Sequence, residues 1–150
     1  MKKLLLFLTF CCSIAAFSQR KYLPVKSADE KLNEEYCTGL FNTAYGTYFD
    51  LSNDEYANSA NSYLNILDWL QGRVAGLQVY TLRNGDRIAF IRNRLADIYV
   101  DEMRVDPGFL NDLAVTDIAM IKIIKEPFAG NIGNAGGVIA IYTYKGDEDE

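Results

Sequence analysis

Residues 70–79 read Leu70-Gln71-Gly72-Arg73-Val74-Ala75-Gly76-Leu77-Gln78-Val79, and the fold turns on how the chain changes period across them. Before this stretch, Tyr63, Leu64, Ile66, Leu67 and Leu70 recur at spacings of three and four, which predicts one buried face of a helix. Trp69 adds apolar surface, and Ser62 is placed to cap the helix. Gly72 sits where the helix should stop, as a left-handed C-terminal residue. After the stretch, Leu77, Val79 and Thr81 alternate with Gln78, Tyr80 and Leu82, the period of a strand.

Working outward, Asn84-Gly85 makes a reversal because both residues tolerate positive φ. The returning strand puts Ile88, Phe90 and Arg92 on one face and Ala89 and Ile91 on the other. A third strand spans Asp97 to Asp101, Glu102 and Met103 turn it, and Arg104 to Asp106 pair back. Pro107 suits the first turn of a short helix over 107–113. Thr116 or Asp117 leads into a strand over 118–125, with Ile121 and Ile123 on one face and Met120, Lys122 and Ile124 on the other. A Gly- and Asn-rich segment, 126–137, precedes a last strand over 138–144. The order of elements implies an α+β domain, a small mixed β-sheet with short helices.

Toward the N-terminus the character changes. Met1, Lys2 and Lys3 form a basic start, Leu4 to Phe10 an apolar run, and Ala16 lies two residues before Ser18. This is the pattern of a signal peptide over 1–18, cleaved before Gln19. The run is short for a membrane span, and the mature chain contains no transmembrane segment. Lipidation at Cys11 or Cys12 is the alternative and would anchor the chain, although Phe10 precedes Cys11 where a small residue is expected. Residues 19–61 form a polar tether, helical from about Ala28, and then an aromatic-rich segment expected to be irregular. Residues 62–146 form the main domain and 147–150 an acidic tail. The reading places the protein in the periplasm or at the outer membrane.

The chain of 150 residues carries 15 Lys plus Arg against 20 Asp plus Glu, a net charge of −5. Nucleic-acid binding needs clustered positive charge, so no nucleic-acid partner is expected. The sequence contains no histidine. Ser-His-Asp and Cys-His catalysis and the H-E-x-x-H zinc site are thereby excluded. Cys37, the one cysteine of the mature chain, has no histidine to activate it and reads as a buried structural thiol.

Four segments in order carry a resemblance. Leu70 to Val79 resembles L-Q-G-R-V-A-G-V-Q-V of the plug domain of TonB-dependent outer-membrane receptors, in the SusC-like form of Bacteroidetes. Ile91-Arg92-Asn93 is similar to the plug's I-R-G, and Ile98 to Glu102 to its L-Y-V-V-D-G strand and turn. Asp117 to Gly146 resembles the plug's ending, with its strand, Gly-rich loop and G-V-I-x-I-x-T-x-K-G. The resemblance spans about Ser62 to Gly146. Two family glycines are replaced, by Asn93 and Glu102, at positions that must adopt tight backbone shapes. No barrel sequence follows Gly146, and Tyr22 to Lys26 is the nearest candidate for a Ton box. The resemblance therefore implies the plug fold and not a complete transporter. It implies a role in TonB-dependent uptake, with a TonB-dependent receptor or a SusD-like lipoprotein as partner. The fold-defining residues it marks are Gly72, Arg73, Gly76, Arg92, Asp101, Gly133 and Gly137.

Candidate sites are few. Gly130 to Gly137 lacks the helix a phosphate loop requires and reads as a turn between strands. Asp97, Asp101, Glu102 and Asp106 read as turn caps and solvated acids. Neither a catalytic residue, a metal site nor a cofactor is expected. Arg73 and Arg92 are expected to pair with Asp101 or Asp117. The leading function is a non-enzymatic protein acting by protein–protein contact. The alternative is a stand-alone glycan- or small-ligand-binding module, which predicts a concave aromatic patch of Tyr45, Tyr48, Tyr56 and Trp69.

Overall fold

The computed structural model describes residues 26–42, 45–125 and 136–145. The signal peptide and tether before Lys26, Gly133 within the Gly-rich loop, and the acidic tail lie outside the described residues. The first element is helix α1 (Ala28–Tyr36), set by a capping box. The Ser27 hydroxyl accepts from the Glu30 amide at 3.2 Å, and the Glu30 carboxylate accepts from the Ser27 amide at 3.0 Å. Such a cap contributes about 1 kcal/mol.

The aromatic-rich segment is more regular than its composition suggested. It forms strand β1 (Thr47–Asp50) and helix α2 (Asp54–Ala60), the latter capped by Asn53. The next helix, α3 (Ile66–Gln71), starts at Asn65 and not at Ser62, because the Asn65 side chain accepts from the Leu67 amide at 3.0 Å. Leu64, placed on the buried face by periodicity, lies ahead of the helix and is 92% exposed. Gly72 does follow α3, but at φ −83° it is right-handed. The left-handed glycine is Gly76, at φ +82°, immediately before β2.

Strands β2 (Leu77–Thr81), β3 (Arg87–Ile91) and β4 (Arg94–Leu95) form a small antiparallel sheet. At the first reversal only Gly85 has positive φ. Strands β5 (Asp97–Val100), β6 (Met103–Val105), β7 (Ile118–Ile124) and β8 (Val138–Thr143) join β1 in a five-stranded sheet. Its order is β1-β7-β8-β5-β6, with β5 and β8 parallel and the other pairs antiparallel. The short helix after Pro107 is a 3-10 helix that stops at Asn111.

Close approach explains two glycines. A Cβ on Gly136 would strike the carbonyls of Leu95 and Arg94, where the small sheet abuts the large one. Gly137 has φ +104°, and a Cβ there would lie 2.5 Å from the Ile124 carbonyl. Ala96 carries the chain between sheets: its amide donates to Ala89 at 2.9 Å, and the next amide, of Asp97, donates to Gly137 at 3.1 Å.

The large sheet is buried on both faces, and β7 divides as its alternation predicts. Ile121 and Ile123 face a core with Trp69, Leu67, Leu70, Ile91, Ile98 and Ile139, closed by α2, α3 and the small sheet. Met120 and Ile124 face a second, smaller core with Cys37, Phe41, Tyr99, Val138 and Tyr142. The second core is closed by residues 26–42.

Candidate functional site

The four aromatic residues expected to form one concave patch are not brought together. Trp69 is fully buried in the first core, with Phe49 at 5.4 Å and Tyr56 at 6.1 Å between ring centroids. Tyr48 neighbours Phe49 on β1 and so points to the opposite face, beside the second core. Tyr45 precedes the strand and is 79% exposed. It lines a depression with Arg92, Ile123 and Lys125, remote from Trp69. The aromatics are divided between two separate places: Tyr56 packs with Trp69 at the first core, Tyr48 lies beside the second, and Tyr45 is the most exposed of the four.

The motif arginines also depart from expectation. Arg73 stacks on the Trp69 ring at 4.4 Å, donates to the Trp69 carbonyl at 2.9 Å and donates to the Ser59 hydroxyl at 2.5 Å. That hydroxyl also accepts from the Trp69 indole N–H at 3.0 Å. Arg73 therefore seals α3 against α2 by stacking and by hydrogen bonds to neutral acceptors, not by pairing with a carboxylate. Arg92 has φ +52° and begins the turn from β3 to β4. Among the described residues neither arginine pairs with Asp101 or Asp117.

Two tight turns supply the geometry. Arg92-Asn93 and Asp101-Glu102 all have positive φ, from 47° to 66°, which is the type I′ hairpin shape. Asn tolerates it readily; Glu does so at a cost. What Glu102 gains is visible: its carboxylate accepts from the Gly39 amide at 2.9 Å and the Leu40 amide at 3.1 Å. Asp101 accepts from the Thr143 amide at 2.9 Å and its hydroxyl at 2.8 Å, tying the turn to β8. Glu102 thus clasps the segment that covers the second core.

The centre of that cover is polar. Lys122 is fully buried, and its Nζ donates to Asn33 Oδ1 at 2.5 Å and to the Phe41 carbonyl at 2.7 Å. It lies 4.9 Å from the centroid of the Tyr48 ring, whose hydroxyl donates to the same Asn33 oxygen at 3.0 Å. Burial lowers the Lys122 pKa from its ordinary value and raises that of the neighbouring Cys37 thiol. Burial likewise pushes the Tyr48 phenol up to about 12 and raises the Tyr142 phenol, which also bonds with Cys37. Lys122 was legible only as sharing a face of β7 with Met120 and Ile124. Its partners lie 81 and 89 residues away, and no local spacing reports them.

A cleft of about 370 Å³ opens at the other border of the sheet. Ile88, Leu95, Ala96, Ile98, Val105 and Pro107 give it apolar walls, and Asp97, Arg104 and Asp106 its charges. Arg104 and the buried Asp97 form an ion pair at 2.6 Å. Among the described residues no cluster of three or more metal-ligating side chains occurs, and no helix is long and apolar enough to cross a membrane.

No protein-family model and no curated protein matches the chain. Solved structures do. One chain of the RagAB peptide importer in its closed-closed state matches with a TM-score of 0.52 and 26% identity, over 72% of this chain and 13% of that one. The open-open state gives 0.52 and 23% over 71% and 13%. The siderophore receptor PirA from Acinetobacter baumannii gives 0.53 and 20% over 80% and 19%. These neighbours are TonB-dependent receptors, and the fold of this chain is plug-domain-like. The chain spans less than a fifth of the length of either receptor.

Proposed function

We propose that the protein is an exported, non-enzymatic plug-type module that works by protein–protein contact at the outer membrane, in association with TonB-dependent uptake. The observation that carries this reading is the plug-like fold itself, shared with chains of a peptide importer and a siderophore receptor. Residues 1–18 would direct export, and a TonB-dependent receptor or a SusD-like lipoprotein would be the partner. A module of this kind acts by docking, and it needs a rigid sheet more than a reactive group. The two buried faces of the sheet meet that requirement: what they leave for contact is edges, turns and the outer side of the small sheet.

The test is affinity capture with tagged mature protein from detergent-solubilised outer membranes of its own organism, read by mass spectrometry. Enrichment of a TonB-dependent receptor or a SusD-like lipoprotein over a Trp69→Ala control is the expected result. Recovery of neither above background would overturn the proposal.

A further inference from the structure

Glu102 and Arg92 are long charged side chains held on left-handed backbone, and they differ in what they gain there. Glu102, at φ +66°, accepts from the Gly39 and Leu40 amides. Arg92, at φ +52°, opens the β3–β4 turn, at a position where the backbone favours Asn or Gly. Its stem passes close to Gly76, where an added Cβ would lie 3.8 Å from Arg92 Cγ. Among the described residues its guanidinium has no hydrogen-bond or ion-pair partner. Backbone strain that no local contact explains is a feature of binding sites.

Arg92 lines a depression of about 360 Å³ with Tyr45, Thr47, Ile123, Ile124 and Lys125. The register explains the grouping. Thr47 pairs with Ile123, and two residues further on Tyr45 stands opposite Lys125, on the face that carries the first core. The β3–β4 turn of the small sheet overhangs that same face. Among the described residues the Lys125 ammonium likewise has no hydrogen-bond or ion-pair partner. The lining thus holds two uncommitted cations and no acid, on a chain whose net charge is −5. A guanidinium fork matches an oxyanion in two places, and an ammonium adds a point charge beside it. The volume lies within the range of small-ligand pockets.

We propose that this depression binds a small organic anion, a carboxylate or phosphate carried on an apolar group. The anion accepts from the Arg92 guanidinium and the Lys125 ammonium. Its apolar group lies toward Tyr45 and the end of β7. The site goes beyond the docking reading and does not depend on it: membrane capture can fail while the ligand binds, and the reverse.

The probes are 3-phenylpropanoate and phenyl phosphate, titrated into the purified, nitrogen-15-labelled mature protein with amide shifts followed by NMR. The expected result is saturable binding of at least one, with shifts at Thr47, Arg92 and Lys125; the tighter probe identifies the anion. The neutral 3-phenylpropanamide should bind about tenfold more weakly, as should binding to Arg92→Asn or Lys125→Gln, the loss expected for one hydrogen bond to a charged group. Acetate and inorganic phosphate should also bind about tenfold more weakly than the probes, since they lack the apolar group. Arg92→Asn suits the turn, so its urea midpoint should equal or exceed that of the wild type. Absence of saturable binding by both probes would overturn the proposal. Equal binding of the amide, or of the simple ions, would do the same. A lowered urea midpoint for Arg92→Asn would assign the arginine to the fold instead. Binding to Glu126→Gln but not to the wild type would give the two cations to the chain's own next carboxylate and refute the site.

Discussion

The two faces of the large sheet are closed by different means. The first core is apolar throughout and is sealed by elements that follow one another in sequence: α2, α3 and the β2–β3 hairpin. The second is smaller, holds a buried lysine and a thiol at its centre, and is sealed by residues 26–42. The first gains from area removed from water, at about 25 cal/mol per Å². The second depends also on a few hydrogen bonds whose loss strands buried acceptors. One face is the scaffold; the other is a cover held on by clasps.

Trp69→Ala should do the greatest damage. It empties a fully buried site, breaks two ring contacts and removes the surface on which Arg73 stacks. Unfolding by urea should show a loss of about 3–5 kcal/mol. A loss under about 1 kcal/mol would mean that the first face is not the scaffold.

Lys122→Met probes the other face. It deletes the donor for Asn33 Oδ1 and the Phe41 carbonyl while keeping much of the volume. A destabilisation of about 2 kcal/mol is expected from the donor lost to the Phe41 carbonyl, at about 1–3 kcal/mol for a buried acceptor, since Asn33 Oδ1 keeps the Tyr48 hydroxyl. A more stable variant would break the comparison, showing the second face to be an ordinary apolar core burdened by a charge.

Alkali should act on the second face. The Tyr48 phenol is raised from 10.0 to about 12 in the folded protein, so the folded state holds its proton more tightly than the unfolded state. The stability this contributes is fully present below pH 10 and is lost as pH rises from 10 through about 12. Tyr48→Phe should flatten that part of the stability–pH curve, measured by urea unfolding at steps of pH. An unchanged slope would contradict the burial argument.

Glu102→Gln is expected to give the smallest global change, about 1 kcal/mol, since one of its two accepted amide bonds and the charge are lost. Its local effect should exceed its global one, with faster amide exchange at Gly39 and Leu40.

These contrasts also explain what was readable from sequence. The alternation in 118–124 assigned Ile121 and Ile123 to one face and Met120, Lys122 and Ile124 to the other, and both assignments hold. The plug-like order of segments was likewise legible, and the resemblance set a turn at Asp101-Glu102, whereas the strand pattern alone set it one residue late, at Glu102-Met103, although Met103 belongs to β6. The start of α3 was misplaced because Ser62 and Asn65 are both competent caps, and the choice falls to Asn65, whose amide nitrogen donates to the distant Leu110 carbonyl at 3.1 Å. The left-handed role passed from Gly72 to Gly76, since the chain must turn into β2 and not out of the helix. The aromatic patch failed because Tyr48 and Trp69 were grouped by composition, whereas strand parity puts them on opposite faces. The Asn33–Lys122 contact joins residues 89 positions apart, and nothing local encodes it.

Native-state hydrogen exchange on the wild-type protein tests the central claim most directly. The account predicts two tiers: the Cys37 amide, bonded to Asn33, exchanges through a local opening of the cover, and the β7 amides of Ile121 and Ile123 exchange only on global unfolding. Equal opening free energies at Cys37 and in β7, unchanged by Glu102→Gln, would contradict it and make the two faces one cooperative unit.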